Sequence, residues 1–64
     1  MDSVFEFKTA KQAIKFQKEM HKRFILVEFV GDCSVRIYNY ENIKAEHKAT
    51  VMNTAKSVYN KIMN

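Results

Sequence analysis

The chain has 64 residues, with 11 Lys and Arg against 7 Asp and Glu for a formal charge of +4, one Gly, one Cys, and no Pro or Trp. A chain of this length forms one small domain at most, 1–64, and buries only about 60% of the surface that its unfolded form exposes. One cysteine rules out an intrachain disulfide, and Cys33, His21 and His47 stand singly, away from any CxxC or HxxxH spacing that would hold a metal.

Small domains are commonly stapled by disulfides, by a metal or by a second copy, and here only association remains. No N-terminal apolar run follows a basic stretch, and no run reaches the ~18 apolar residues of a membrane span. A lone thiol suits a reducing compartment. The expectation is a cytoplasmic protein without membrane contact. Frequent Lys and Asn with little Arg resemble the product of an AT-rich genome, such as a phage or plasmid reading frame. The charge is uneven: residues 8–23 carry +5 and residues 41–64 carry +2, while the first seven residues contribute −2. Attraction to an acidic protein or to nucleic acid should concentrate on one segment.

Taken in chain order, Val4-Phe5-Glu6-Phe7 reads as a short strand. Thr9 is a good N-cap and opens a helix from Ala10 to Arg23. At 100° per residue Ala10, Ala13, Ile14, Phe16, Met20 and His21 share one arc, and Lys11, Lys15, Lys18 and Lys22 share the opposite one. A hairpin follows. A two-residue Gly31-Asp32 loop suits common turn chemistry but mixes polar and apolar residues on each face. A three-residue loop, Gly31-Asp32-Cys33, pairs Glu28 with Arg36, Val27 with Ile37, Leu26 with Tyr38 and Phe24 with Tyr40. Burial pattern specifies register more strongly than turn preference, so the second register is expected.

Glu41 to Asn64 contains no breaker. Asn39 or Asn42 is placed to cap a helix, and Val51, Met52, Ala55, Val58, Tyr59, Ile62 and Met63 form a stripe of helical period. The apolar phase changes near residues 47–50. Two forms fit: a short helix over about 42–48 followed by a longer one, or one helix of about 33 Å packed only along its second part. Such a helix would overhang a body roughly 28 Å across.

These elements define an α+β class: a single two-layer β-α-β-β-α domain, with a three-stranded sheet and both helices on one face. A right-handed crossover sets the first strand parallel to the second, with the third between them. The order resembles an incomplete ferredoxin-like unit in topology only.

The helix layer would then cover Phe5, Phe7, Ile25, Val27, Phe29, Val35 and Ile37. The opposite face would hold Val4, Phe24, Leu26, Tyr38, Tyr40 and a Glu28–Arg36 pair, with nothing in the chain left to cover it. Burying four large side chains there would gain roughly 6–12 kcal/mol gross, as much as the ~3–10 kcal/mol expected for the whole fold. Half-wet antiparallel sheets do expose apolar residues, so an idle face is the plainer alternative. The lysine stripe is likewise either a solvated helix face or a surface for phosphates or an acidic partner. Lysine lacks the bidentate base contacts of arginine, which disfavours sequence-reading of nucleic acid.

Catalytic chemistry is not legible. Glu28 beside Arg36 reads as an ion pair, His21 and His47 lack partners in sequence, and Cys33 has no basic cluster to lower its pKa. A body this small leaves little room for a substrate pocket of about 300 Å³. The expectation is a non-enzymatic protein-binding module, homodimeric, acting as an inhibitor or adaptor on a larger protein. It needs no cofactor, metal or small-molecule substrate. Its interface is expected at Phe24, Leu26, Glu28, Arg36, Tyr38 and Tyr40, with Lys11, Lys15, Lys18 and Lys22 steering an acidic partner. Met52, Tyr59 and Met63 are either core or a secondary interface. A nucleic-acid-binding protein using the lysine stripe is the alternative.

Overall fold

A computed structural model describes residues 4–64; Asp2, counted above with the acidic N-terminal segment, lies outside them. The chain runs β1 (Val4–Glu6), α1 (Ala10–Lys22), β2 (Val27–Phe29), β3 (Ser34–Ile37), a 3-10 turn (Tyr40–Asn42) and α2 (Ala45–Met63). Strand order is β1-β3-β2, with β3 antiparallel to both neighbours, so β1 and β2 run parallel as expected.

Thr9 opens α1 in extended backbone, and its Oγ1 accepts the Gln12 N–H at 3.2 Å. The Gln12 side chain reaches back to accept the Lys8 N–H at 3.0 Å. One orphan donor at the helix start, the Gln12 N–H, is thereby satisfied, and the Lys8 N–H just outside the helix is tied to its first turn. The buried stripe of α1 is Ala13, Phe16 and Met20. It is narrower than the arc read from the sequence: Ala10, Ile14 and His21 are exposed. α2 packs beside α1 and turns the buried centre toward Phe16 and away from Ile14.

The hairpin adopts the three-residue loop. Val27 pairs with Ile37, Glu28 with Arg36 and Phe29 with Val35, and the Val30 N–H donates to the Ser34 carbonyl at 2.9 Å across Gly31-Asp32-Cys33. Gly31 has no positive φ. A methyl group there would meet Ser34 at an ordinary 3.6 Å, so neither backbone nor space demands glycine.

α2 is one unbroken helix, buried at Met52, Ala55 and Val58, with Val51, Tyr59, Ile62 and Met63 packed on the core. Residues 45–50 are exposed or half-exposed, so the helix packs chiefly along its second part, as the phase change implied. At about 28 Å the helix fits the 31 Å long axis of the molecule. Its N-cap is Lys44, which supplies no side-chain bond. Asn39 and Asn42 instead bond to each other across the 3-10 turn.

One core joins the layers: Phe7, Val35 and Ile37 from the sheet side, Ala13, Phe16 and Met20 from α1, and Met52, Ala55 and Val58 from α2. At one end four aromatic rings interlock. Phe5 and Phe7 each touch Phe16 of α1 and Tyr59 of α2, at centroid distances of 5.0–5.3 Å. The Tyr59 hydroxyl donates to the Glu6 carbonyl at 2.7 Å, tying α2 to β1.

Candidate functional site

Side chains alternate across a sheet, so the residues flanking each buried one point away from the helices. On β3 Val35 and Ile37 are buried and Arg36 is exposed. Across the pairing, Arg36 lies between Val4 and Glu28, and Glu6 lies beside Ser34. The Tyr38 N–H donates to the Leu26 carbonyl at 3.0 Å, which extends the same register one row further. The outer face therefore carries Tyr38 and Leu26 at one end, Val4, Arg36 and Glu28 in the middle, and Glu6, Ser34 and Val30 at the other.

No element among the described residues covers this face. Leu26 is 58% exposed and Tyr38 54% exposed. The middle row is bound by the Arg36 Nε to Glu28 Oε2 contact at 2.6 Å. Its hydrogen bond and its charge hold the Arg36 guanidinium above the ordinary arginine pKa.

Phe24 also belongs to this end, in a form the sequence reading missed. It sits at φ 61° and is 95% exposed. Its N–H donates to the His21 carbonyl at 2.9 Å, and the Ile25 N–H donates to the Met20 carbonyl at 3.0 Å. Those two bonds form a Schellman motif with Phe24 in the left-handed position where glycine is usual. The expected Phe24–Tyr40 pair does not form. Asn39, at φ 58°, turns the chain out of the strand after Tyr38. Tyr40 then packs half-buried against the core on the helix side, with Lys48 Nζ 5.3 Å from its ring centre. Tyr40 thus leaves the outer face.

Between the end of the sheet and the start of α2 an open groove of about 370 Å³ is lined by Phe24, Ile25, Leu26, Ile37, Tyr38, Asn39, Asn42, Ile43 and Val51. It is larger than the length of the chain suggested, because the 3-10 turn holds α2 off the sheet end. Phe24 and Asn39, the two non-glycine residues with positive φ among those described, both line it.

Met52 is buried in the chain's own core, and Tyr59 and Met63 pack half-buried on it. Met52 is a core residue, while Tyr59 and Met63 keep part of their surface exposed at the core's edge. Val30, in contrast, is half exposed on the outer face and was overlooked. The three-residue loop already gives it the parity of Leu26 and Glu28, so the signal was present.

Lys11, Lys15, Lys18 and Lys22 are exposed along α1, on the helix layer and away from the open sheet face. Glu19 is bracketed by Arg23 at 3.2 Å and Lys22 at 3.3 Å. The Arg23 hydrogen bond foremost, then Lys22, holds its carboxyl below the ordinary glutamate range. Cys33 is half-buried against the core, and its carbonyl accepts the Phe7 N–H at 2.8 Å. His21 and His47 are exposed; His47 Nε2 lies 3.7 Å from Glu46 Oε2. No helix among the described residues is long and apolar enough to cross a membrane.

Fold and surface together define a two-layer α+β domain with one sheet face left open. No protein-family model, curated protein or solved structure gives a significant match to the chain.

Proposed function

We propose that this chain is a non-enzymatic protein-binding module that pairs with itself through the open sheet face and presents its lysine-bearing helix to a larger acidic protein as an inhibitor or adaptor. The observation that carries this reading is the exposure of Leu26 and Tyr38, side by side on a face that no helix of the chain overlies. A large side chain gains roughly 1.5–3 kcal/mol on full burial. Covering what Val4, Phe24, Leu26, Val30 and Tyr38 still expose would gain on the order of 4–9 kcal/mol gross. That rivals the net stability of a domain of this size, roughly 3–10 kcal/mol. Costs of association consume much of it, and the surplus is what would drive pairing.

The two faces divide the work. The outer sheet face bears Glu6, Glu28 and Arg36, which nearly cancel, so two copies meet there without strong repulsion. The lysines of α1 then point outward and draw an acidic partner. Nucleic acid is the second reading of that stripe. It is less favoured, because Tyr38, the ring on which a base could stack, lies on the opposite face from the lysines.

Sedimentation velocity tests the pairing. The chain should sediment as a dimer of twice 7.6 kDa at tens of micromolar, and Leu26→Asp should sediment as a monomer with unchanged helical circular dichroism. A wild-type monomer at that concentration contradicts the proposal. Loss of helix in Leu26→Asp would show that this face supports the fold of the single chain.

A further inference from the structure

We infer that Phe24 is the anchor of a two-fold dimer, its ring seated in the end groove of a second copy while that copy's Phe24 fills the first. This inference rests on the pairing proposed above and adds the residue and the geometry that make it specific.

Phe24 is unfavourable to the single chain in two independent ways. Its backbone occupies the left-handed region at φ 61°, which disfavours any residue with a Cβ. Its ring is almost wholly in water, and no contact within the chain compensates. Strained backbone of this kind is characteristic of positions that serve binding. Here both strained residues, Phe24 and Asn39, border one groove.

The groove suits a phenyl ring. It is open to solvent and about 370 Å³ in volume, and Leu26, Ile37, Ile43 and Val51 in its walls offer a ring apolar contacts beside Asn39 and Asn42. A patch that carries a projecting ring and an apolar recess side by side is self-complementary under a two-fold axis, as an isologous contact requires.

Charge and area also select a second copy. Arg23 and Lys22, the cations adjacent to Phe24 in sequence, are drawn back along α1: Arg23 Nη1 donates to the Glu19 carbonyl at 2.7 Å, and both side chains pair with the Glu19 carboxylate. The groove lining itself carries no charged side chain, so nothing in it repels a like-charged twin or attracts an acidic partner. The sheet face alone is a small contact. Three strands about 4.8 Å apart and some five residues long project roughly 250 Å², against ~800 Å² per partner in a stable interface. Reciprocal insertion of Phe24 extends the contact over the end of the domain, adding the roughly 200 Å² of the ring and the groove walls that receive it.

Phe24→Gly separates this role from a structural one, because glycine is the favoured residue at that backbone position. In dilute solution Phe24→Gly should unfold at a higher urea concentration than wild type, yet its dimer dissociation constant, from sedimentation equilibrium, should be at least about tenfold weaker (~1.4 kcal/mol per tenfold). Phe24→Asn, which also tolerates the left-handed region, should weaken the dimer in the same way. Isotope-filtered NOE spectra of a mixed labelled and unlabelled sample should connect the Phe24 ring to Ile43 and Val51 methyls of the other copy. If both variants dimerise as tightly as wild type, the anchor is refuted while pairing through the sheet face stands. If both variants lose stability, Phe24 serves its own fold and the inference fails. A wild-type chain that stays monomeric overturns both the anchor and the pairing.

Discussion

Tyr59 joins the two layers through a single oxygen atom. Its ring packs on Phe5 and Phe7, and its hydroxyl reaches the Glu6 carbonyl at 2.7 Å. Tyr59→Phe keeps the ring contacts and strands that carbonyl. The expected cost is about 1 kcal/mol, read as a lower urea midpoint with an unchanged m-value; an unchanged midpoint would show that water replaces the hydroxyl without loss. The helical stripe from Val51 to Met63 placed Tyr59 correctly on the packed face of its helix. It could not decide between core and interface, because that depends on whether β1 lies within reach. Phe24 was harder to read. An aromatic residue beside Ile25 and Leu26 looks like the start of a strand, and only the two Schellman hydrogen bonds reveal that it ends α1. Its exposure was foreseen and its left-handed backbone was not.

At the scale of elements, the hairpin register was legible because a one-residue slip would have carried Val27, Val35 and Ile37 out of the core. The Glu28–Arg36 pair at 2.6 Å is the visible result. The start of α2 was less legible. Two asparagines stood where a cap was needed, but Asn39 is consumed by the left-handed turn that ends β3, and the helix begins after Lys44 without a side-chain cap. Lys44 already has the extended backbone of an N-cap (φ −59°, ψ 142°), so Lys44→Ser should supply the missing acceptor. The expected gain is about 0.5–1 kcal/mol, read by chemical denaturation together with slower hydrogen exchange in the first turns of α2. No gain would mean that the exposed residues 45–50 fray so freely that a cap does not reach the cooperative unit.

For the whole molecule, the decisive quantity is the ratio of surface to core. Nine buried hydrophobic residues among those described form the core, and both helices are already used on one side of the sheet. The layer order, the parallel relation of β1 and β2 and the open outer face all followed from chain length and pattern alone, since so short a chain has few ways to arrange five elements. The end groove did not follow, because it arises from the irregular 3-10 turn, which leaves no periodic signal. Nor did the loss of Tyr40 from the outer face, which depends on one dihedral angle at Asn39. What the chain gains from a second copy should appear in its stability, because dimerisation stabilises the native state by mass action.

The dependence of the thermal midpoint on protein concentration measures that coupling most directly. Each tenfold rise in concentration contributes about 1.4 kcal/mol per dimer, or ~0.7 per chain, and a domain of this size shifts by roughly 4–8 °C per kcal/mol. Between about 5 and 500 µM the midpoint should therefore climb by roughly 6–11 °C, and Leu26→Asp should abolish the climb. A wild-type midpoint constant across that range would show that one copy is indifferent to the next, and that the open side of the sheet rests against water alone.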